Sequence, residues 1–304
     1  MARTARLRRD ARPPSGVSRS HRTAATGFLL ALPAWITILA IAIVPILTTV
    51  ALSLTSENLA RPGATRFVGL DNYINRVLTP EFVHNVWITA VIAVGGLLVQ
   101  LPLGIGLALI IDRGIRGVRF VRSALLLPMM LTPVAVALMA ALLLNPDMGI
   151  INQALGALSL PTPNWLGTAP TALLSIILVT TWQNTGFVML MFVAGLASLP
   201  REPQEAARID GAGRWQVFRF VTLPMLAPVV LVIVLVRLID AAKMFDLIVV
   251  LTGGGPGRAT ENLNLVVYKV AFQSFAIGQG AALAVALMIV LAPLYLVWRR
   301  VTRR

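Results

Sequence analysis

The sequence predicts an all-α membrane protein with six transmembrane helices, both termini in the cytoplasm, and a helical cytoplasmic segment between spans 4 and 5. Three observations carry this reading. Of 304 residues, 57% are hydrophobic and only 12% are charged, about half the ~25% charge of a soluble globular domain. The apolar residues fall in charge-free blocks, and about 20 such residues suffice for a helix to cross ~30 Å of hydrocarbon. The cations gather in alternate connections, as membrane topology requires. This composition excludes an ordinary cytosolic enzyme, a disordered chain, a collagen and a coiled coil. Cysteine is absent, so there is no disulfide framework, thiolate metal site or Cys nucleophile.

The chain opens on a basic cytoplasmic arm over 1–27, with seven arginines before residue 23 and the pair Pro13-Pro14. The arm is expected to be disordered and held at anionic lipid headgroups. A six-helix transmembrane domain follows over 28–298, and a basic tail closes the chain over 299–304. Five charge-free stretches supply spans, at 23–56, 82–111, 123–146, 148–200 and 270–298. A sixth apolar run, 220–239, is interrupted by Arg237 and followed by Asp240. The first stretch is too long for the ~7–15-residue core of a cleaved signal peptide and ends without a small-x-small cleavage site, so it is expected to stay as an anchor. Pro33 and Pro45 should kink it. Pro161, Pro163, Asn164 and Gly167 break the fourth stretch, which places its spanning part at about 170–197.

Arginine sets the orientation. The formal charge of +14 comes from 24 Arg and 2 Lys against 12 acids. With the N-terminus inside, nineteen of the arginines and five of the acids lie in cytoplasmic segments, a net +14 there, and the rest of the chain sums to zero. The basicity is topological and calls for no nucleic acid.

The third cytoplasmic segment, 199–224, is longer than a connection needs. Pro203 suits a first helical turn, 204–210 are mostly good helix formers, and Gly211 with Gly213 can end the helix in a sharp turn. A second short helix is expected to run from there into the membrane. Glu205, Arg208 and Asp210 surround the small Ala206 and Ala207, a surface suited to docking; the plainer alternative is an amphipathic connector. The pattern Glu205-Ala206-Ala207, three residues, Gly211, nine residues, Val221, one residue, Leu223-Pro224 resembles the EAA loop of bacterial ABC importer permeases, with Val221 in place of the usual isoleucine. Phe67 to Tyr73 (FVGLDNY), Phe245-Asp246 and 251–256 (LTGGGP) are similar to the carbohydrate-uptake branch, the maltose, trehalose and glycerol-phosphate type permeases.

This resemblance implies a permease subunit of an ATP-binding-cassette importer for a sugar, oligosaccharide or polyol, resident in the bacterial inner membrane. It implies a second, non-identical permease, two ATPase subunits and an extracytoplasmic solute-binding protein. The chain itself would carry no cofactor, ATP and Mg²⁺ being bound by the ATPase subunits. Glu205, Ala206, Ala207, Arg208, Asp210, Gly211, Leu223 and Pro224 would form the coupling helix and its root, with Glu205 pairing to a basic ATPase residue and the alanines permitting close approach.

No catalytic set is visible. The run Gly253-Gly254-Gly255-Pro256-Gly257 lacks the Gly-Lys-Ser/Thr ending of a phosphate loop; it reads as an external turn facing the binding protein, or simply as a flexible loop. His21 and His84 stand alone. Polar residues inside spans are costly and usually face the bundle or a water-filled path. Thr180, Gln183 and Asn184 share a face of the fourth span with Trp182 beside them, so they could bind sugar hydroxyls while the ring stacks on the sugar. The alternative is interhelical hydrogen bonding. Asn85, Thr89, Gly96 and Gln100 read as a packing seam. Arg237 and Asp240, counted up from Pro224, fall near the outer end of the fifth span, and with Lys243, Phe245 and Asp246 they read as an outer gate or a solvated salt bridge. A secondary transporter and a membrane scaffold remain alternatives from sequence, the former giving no reason for 199–224; within the permease class, a glycerol phosphodiester remains an alternative solute.

Overall fold

The computed structural model describes residues 18–114 and 117–301. Residues 1–17, 115–116 and 302–304, hence most of the basic arm and the end of the tail, lie outside the described residues. By contacts the chain forms two units, Met1–Thr49 and Val50–Arg304. The first contributes most of α1 (Ser18–Ser53), in which Thr37 donates to the carbonyl of Pro33, and Thr48 and Thr49 to that of Pro45. Three helical segments are long and apolar enough to cross a membrane: Ala31–Ser53, Pro80–Asp112 and Ala169–Ser198.

In the second unit, α2 (Asp71–Arg76) precedes α3 (Pro80–Asp112), which Thr79 caps by accepting from the Phe82 amide. The third predicted span is not one helix. It is α4 (Val118–Met130) and α5 (Pro133–Leu143), bent by 98°. The cause is local: Thr132 accepts from the Ala135 amide, a cap, and Pro133 at the first helical position cannot donate to α4. After α6 (Ile150–Ala157) comes α7 (Ala169–Ser198), matching the expected fourth span.

The connection 199–224 folds as α8 (Glu202–Ile209), α9 (Arg214–Val217), a wide π-turn at Phe218–Thr222 and α10 (Leu223–Met225). It enters α11 (Ala227–Lys243), with Pro228 in its first turn, at an angle of 62°, so the fifth predicted span is also broken. Next come α12 (Asp246–Leu251) and α13 (Leu263–Tyr268). The sixth predicted span starts late, because a π-turn at Lys269–Gln273 and the left-handed Phe275 precede α14 (Ile277–Val301).

The centre of this unit is the α3–α7 pair. Two apolar clusters pack along it. One joins Ile88 and Ile92 to Val136, Ile176 and Ile248; the other joins Ala108 to Val188, Phe192, Leu226 and Ile233. Between them, Gln100 on α3 and Thr180–Asn184 on α7 form a polar layer.

Candidate functional site

The polar layer is organised by Arg237 of α11, which is only 6% exposed. Its Nε donates to Gln100 Oε1 at 3.0 Å, and its Nη1 donates to Asn184 Oδ1 and Asp240 Oδ2, each at 3.1 Å. A buried cation in an apolar bundle is tolerated only when hydrogen-bonded and paired, and here three helices' worth of acceptors supply that. Gln100 in turn donates to the Thr180 carbonyl, and Asn184 does the same. Arg237 therefore sits level with the middle of α3 and α7. The expected position near the outer end is corrected by the bend before α11, which makes a count of residues from Pro224 a poor measure of depth. Nor is the pair a solvated salt bridge on both sides: Arg237 is buried, while the Asp240 side chain is 46% exposed.

That exposed side faces a cavity of roughly 320 Å³ lined by Thr180, Gln183 and Asn184 of α7, Arg237 and Asp240 of α11, and Phe245 and Asp246 at the start of α12. The α4–α5 break closes it with Leu131, whose carbonyl accepts from Gln183 Nε2 at 3.3 Å. Gln183 thus satisfies a carbonyl freed by the break, the interhelical role weighed for it from sequence. Trp182 does not belong to the site. It is 46% exposed and does not line the cavity, because one helical step rotates a side chain by about 100° from its neighbour. The aromatic wall is instead Phe245, backed by Tyr268 at 4.7 Å and, behind that, Phe272 at 5.7 Å from the Tyr268 ring. Asn262 and Asn264 fix this elbow by donating to the carbonyls of Met244 and Lys243.

The glycine run is tied down. Buried Glu261 accepts from Lys269 Nζ at 2.8 Å and Arg258 Nε at 2.6 Å, and Lys269 also donates to the Gly253 carbonyl. Thr260 donates to the Gly255 carbonyl. Asn85 donates to the Glu261 carbonyl and Thr89 accepts from the Leu263 amide, which docks the loop on α3 and makes the expected seam real. Burial pushes the Glu261 carboxyl up, but the hydrogen bonds and charges of Lys269 and Arg258 outweigh it and hold the group below its ordinary value of 4.5. A carboxylate with a lowered folded-state pKa adds stability above its ordinary value, and that stability is lost as pH falls through the lower one. Protection factors of the amides over 252–262 should accordingly hold above pH 4.5 and fall as the pH drops below it, whereas Glu261→Gln should lower them throughout.

At the far end of α3 and α7 lies α8. It has no buried residue, and Glu205, Ala206, Arg208 and Asp210 are exposed. Gly211 closes the helix with φ +87°, a left-handed turn that glycine adopts freely, and the Ala212 amide returns to the Ala207 carbonyl. Leu223 and Pro224 begin α10, at the root of the bent fifth span. Arg201, Gln204 and Arg208 line a groove between α8 and the ends of α3 and α7.

Residues 100–304 match the family described as binding-protein-dependent transport system inner membrane component. The chain belongs to this family. As an inner-membrane transport component it is a multi-pass membrane protein, and its sequence relatives agree with the resemblance carried by 205–224. It is 33% identical over 286 residues to the trehalose/maltose transport system permease protein MalF of Thermococcus litoralis, covering 93% of this chain and 95% of the relative. It is 32% identical over 258 residues to the trehalose transport system permease protein SugA of Mycobacterium tuberculosis, covering 85% and 82%. Its fold is similar to a chain of a bacterial alginate ABC transporter crystallised with an alginate-pentasaccharide-bound periplasmic protein, with a TM-score of 0.80, 21% identity, and 95% and 97% coverage. What sequence reading of this component missed is the joint role of Gln100 and the burial of Glu261. Gln100 was visible as a polar residue inside a span; for Glu261 the local signal was Arg258, three positions before it.

Proposed function

We propose that this transport component is one permease subunit of an ABC importer for a sugar, oligosaccharide or polyol in the bacterial inner membrane. It forms half of the pathway beside a second, non-identical permease. Two ATPase subunits, which bind ATP and Mg²⁺, dock on α8; an extracytoplasmic binding protein delivers the solute near Gly253, Gly254, Gly255 and Pro256. The α8 end is cytoplasmic and both termini share that side.

One observation carries the reading: an exposed helix with no buried residue continues through α9 and α10 into α11, which bears Arg237 and Asp240 of the cavity wall. An ATPase pulling on Glu205–Asp210 would thereby move the cavity's own side chains and open it to alternate sides of the membrane. Thr180, Gln183, Asn184, Asp240, Phe245 and Asp246 offer hydroxyl partners and an aromatic face of the kind sugars take. The relatives named for trehalose and maltose transport favour carbohydrate.

The test is solute-stimulated ATP turnover in the reconstituted assembly across a sugar panel, with Gly211→Val beside the native chain. Valine at φ +87° strains the turn by roughly 1–2 kcal/mol, too little to unfold the bundle, and no atom lies within 4 Å of its added Cβ. The variant should insert and hydrolyse ATP yet lose at least about tenfold in uptake. Normal uptake by Gly211→Val would remove α8 from the mechanism.

A further inference from the structure

The groove behind α8 has a chemistry that coupling leaves unused. Its volume is roughly 1090 Å³, and its floor is apolar, with Leu109 of α3, Leu196 of α7 and Val217 of α9. Its rim carries Arg113, Arg201, Arg208 and Arg214 against one carboxylate, Asp112. Among the described residues none of these four guanidiniums has an ion-pair partner. α8 divides the charges by face. Arg201, Gln204 and Arg208 line the groove, whereas Glu205, Ala206 and Ile209, all exposed, do not.

We propose that this groove binds the headgroup of an anionic phospholipid, its phosphate among the arginines and its acyl chains along the apolar floor. Four cations in one concavity repel one another unless an anion sits among them, and arginine is the side chain best matched to phosphate oxygens. The floor is built from the last turns of two helices long enough to span a bilayer, and Ile110 beside it is exposed. Trp215, largely exposed, also lines the groove, the residue type favoured at the headgroup level. Basic pockets at the ends of spans recognise such lipids in general. A free phosphate would leave the floor wet. The inference rests on the proposed function only in requiring that the α8 end meets a bilayer surface.

The test uses the full chain, purified with its associated subunits, in nanodiscs of phosphatidylcholine with increasing phosphatidylglycerol. Retained lipid is read by native mass spectrometry, and proximity by quenching of Trp215 with brominated phosphatidylglycerol, taken as the difference from Trp215→Phe. Phosphatidylglycerol should be retained over phosphatidylcholine. Arg113→Gln/Arg201→Gln/Arg214→Gln should weaken it at least tenfold, given roughly fivefold per arginine, while Arg61→Gln/Arg66→Gln at the other end of the bundle should leave it intact. If the triple variant does not fold, Arg113→Gln alone should give about a fivefold loss. Equal retention of the two lipids, an unchanged triple variant, or an equal loss in the Arg61/Arg66 control would each overturn the proposal. None of these results bears on whether an ATPase co-purifies, so the proposed function is tested separately.

Discussion

Replacing Gly186 with valine is expected to leave little folded protein in the membrane. A Cβ at 186 on α7 would overlap the carbonyl oxygen of Leu125 on α4, and the Leu126 Cα follows at 3.3 Å. These are backbone atoms and cannot rotate aside, so α4 must move bodily. That movement would pull on the α4–α5 break, where Gln183 satisfies Leu131. Ordinary overpacking costs about 1–3 kcal/mol, and a backbone clash belongs at or above the top of that range. Even Gly186→Ala should lower the melting temperature by roughly 6–12 °C, taking about 3 kcal/mol at 2–4 °C per kcal/mol. Gly106→Ala, with no atom within 4 Å of the added Cβ, should be neutral or slightly stabilising. Fluorescence-detected size-exclusion chromatography on a heating series checks both.

The second large effect is expected at Arg237. Arg237→Met removes the donor to Gln100 and Asn184 and leaves Gln100, 1% exposed, with an unsatisfied buried oxygen. A buried acceptor left unpaired costs about 1–3 kcal/mol, but hydrogen bonds between membrane helices average about 0.6 kcal/mol, so about 2 kcal/mol for the pair is the reasonable expectation. Adding Gln100→Leu should recover most of that stability, because two apolar partners replace a broken polar pair. Arg237→Met should also lose uptake in the reconstituted complex, and the double variant should not regain it. Recovery of both together would make Arg237 a packing residue and nothing more.

The fold and the site were unevenly legible. The helices α3 and α7 follow from charge-free length, because crossing a bilayer imposes one dominant constraint. The break at Leu131 was also written in the sequence, as Thr132 capping ahead of Pro133, but an apolar run read by length alone conceals it. The bend before α11 has a like origin in Pro228, whereas the late start of α14 follows from the left-handed Phe275, which no sequence pattern marks. Helical spacing placed Gln183 and Asn184 on one face with Thr180, whereas sequence adjacency suggested Trp182 wrongly. The i, i+3 spacing paired Arg237 with Asp240, but its burial depends on Gln100, 137 positions away, and no local pattern encodes that. Glu261 was readable only in part: the i, i+3 spacing offers Arg258, but its burial depends on docking to Asn85, 176 positions away.

The most direct measurement is cysteine cross-linking at Ala206. The sequence has no cysteine, so Ala206→Cys gives the chain a single thiol on the exposed α8. In the purified assembly, a short thiol-to-amine reagent should join it to a nucleotide-hydrolysing subunit, and maleimide labelling should be slower than in the isolated chain. Equal labelling in both, with no cross-linked ATPase, would contradict the account.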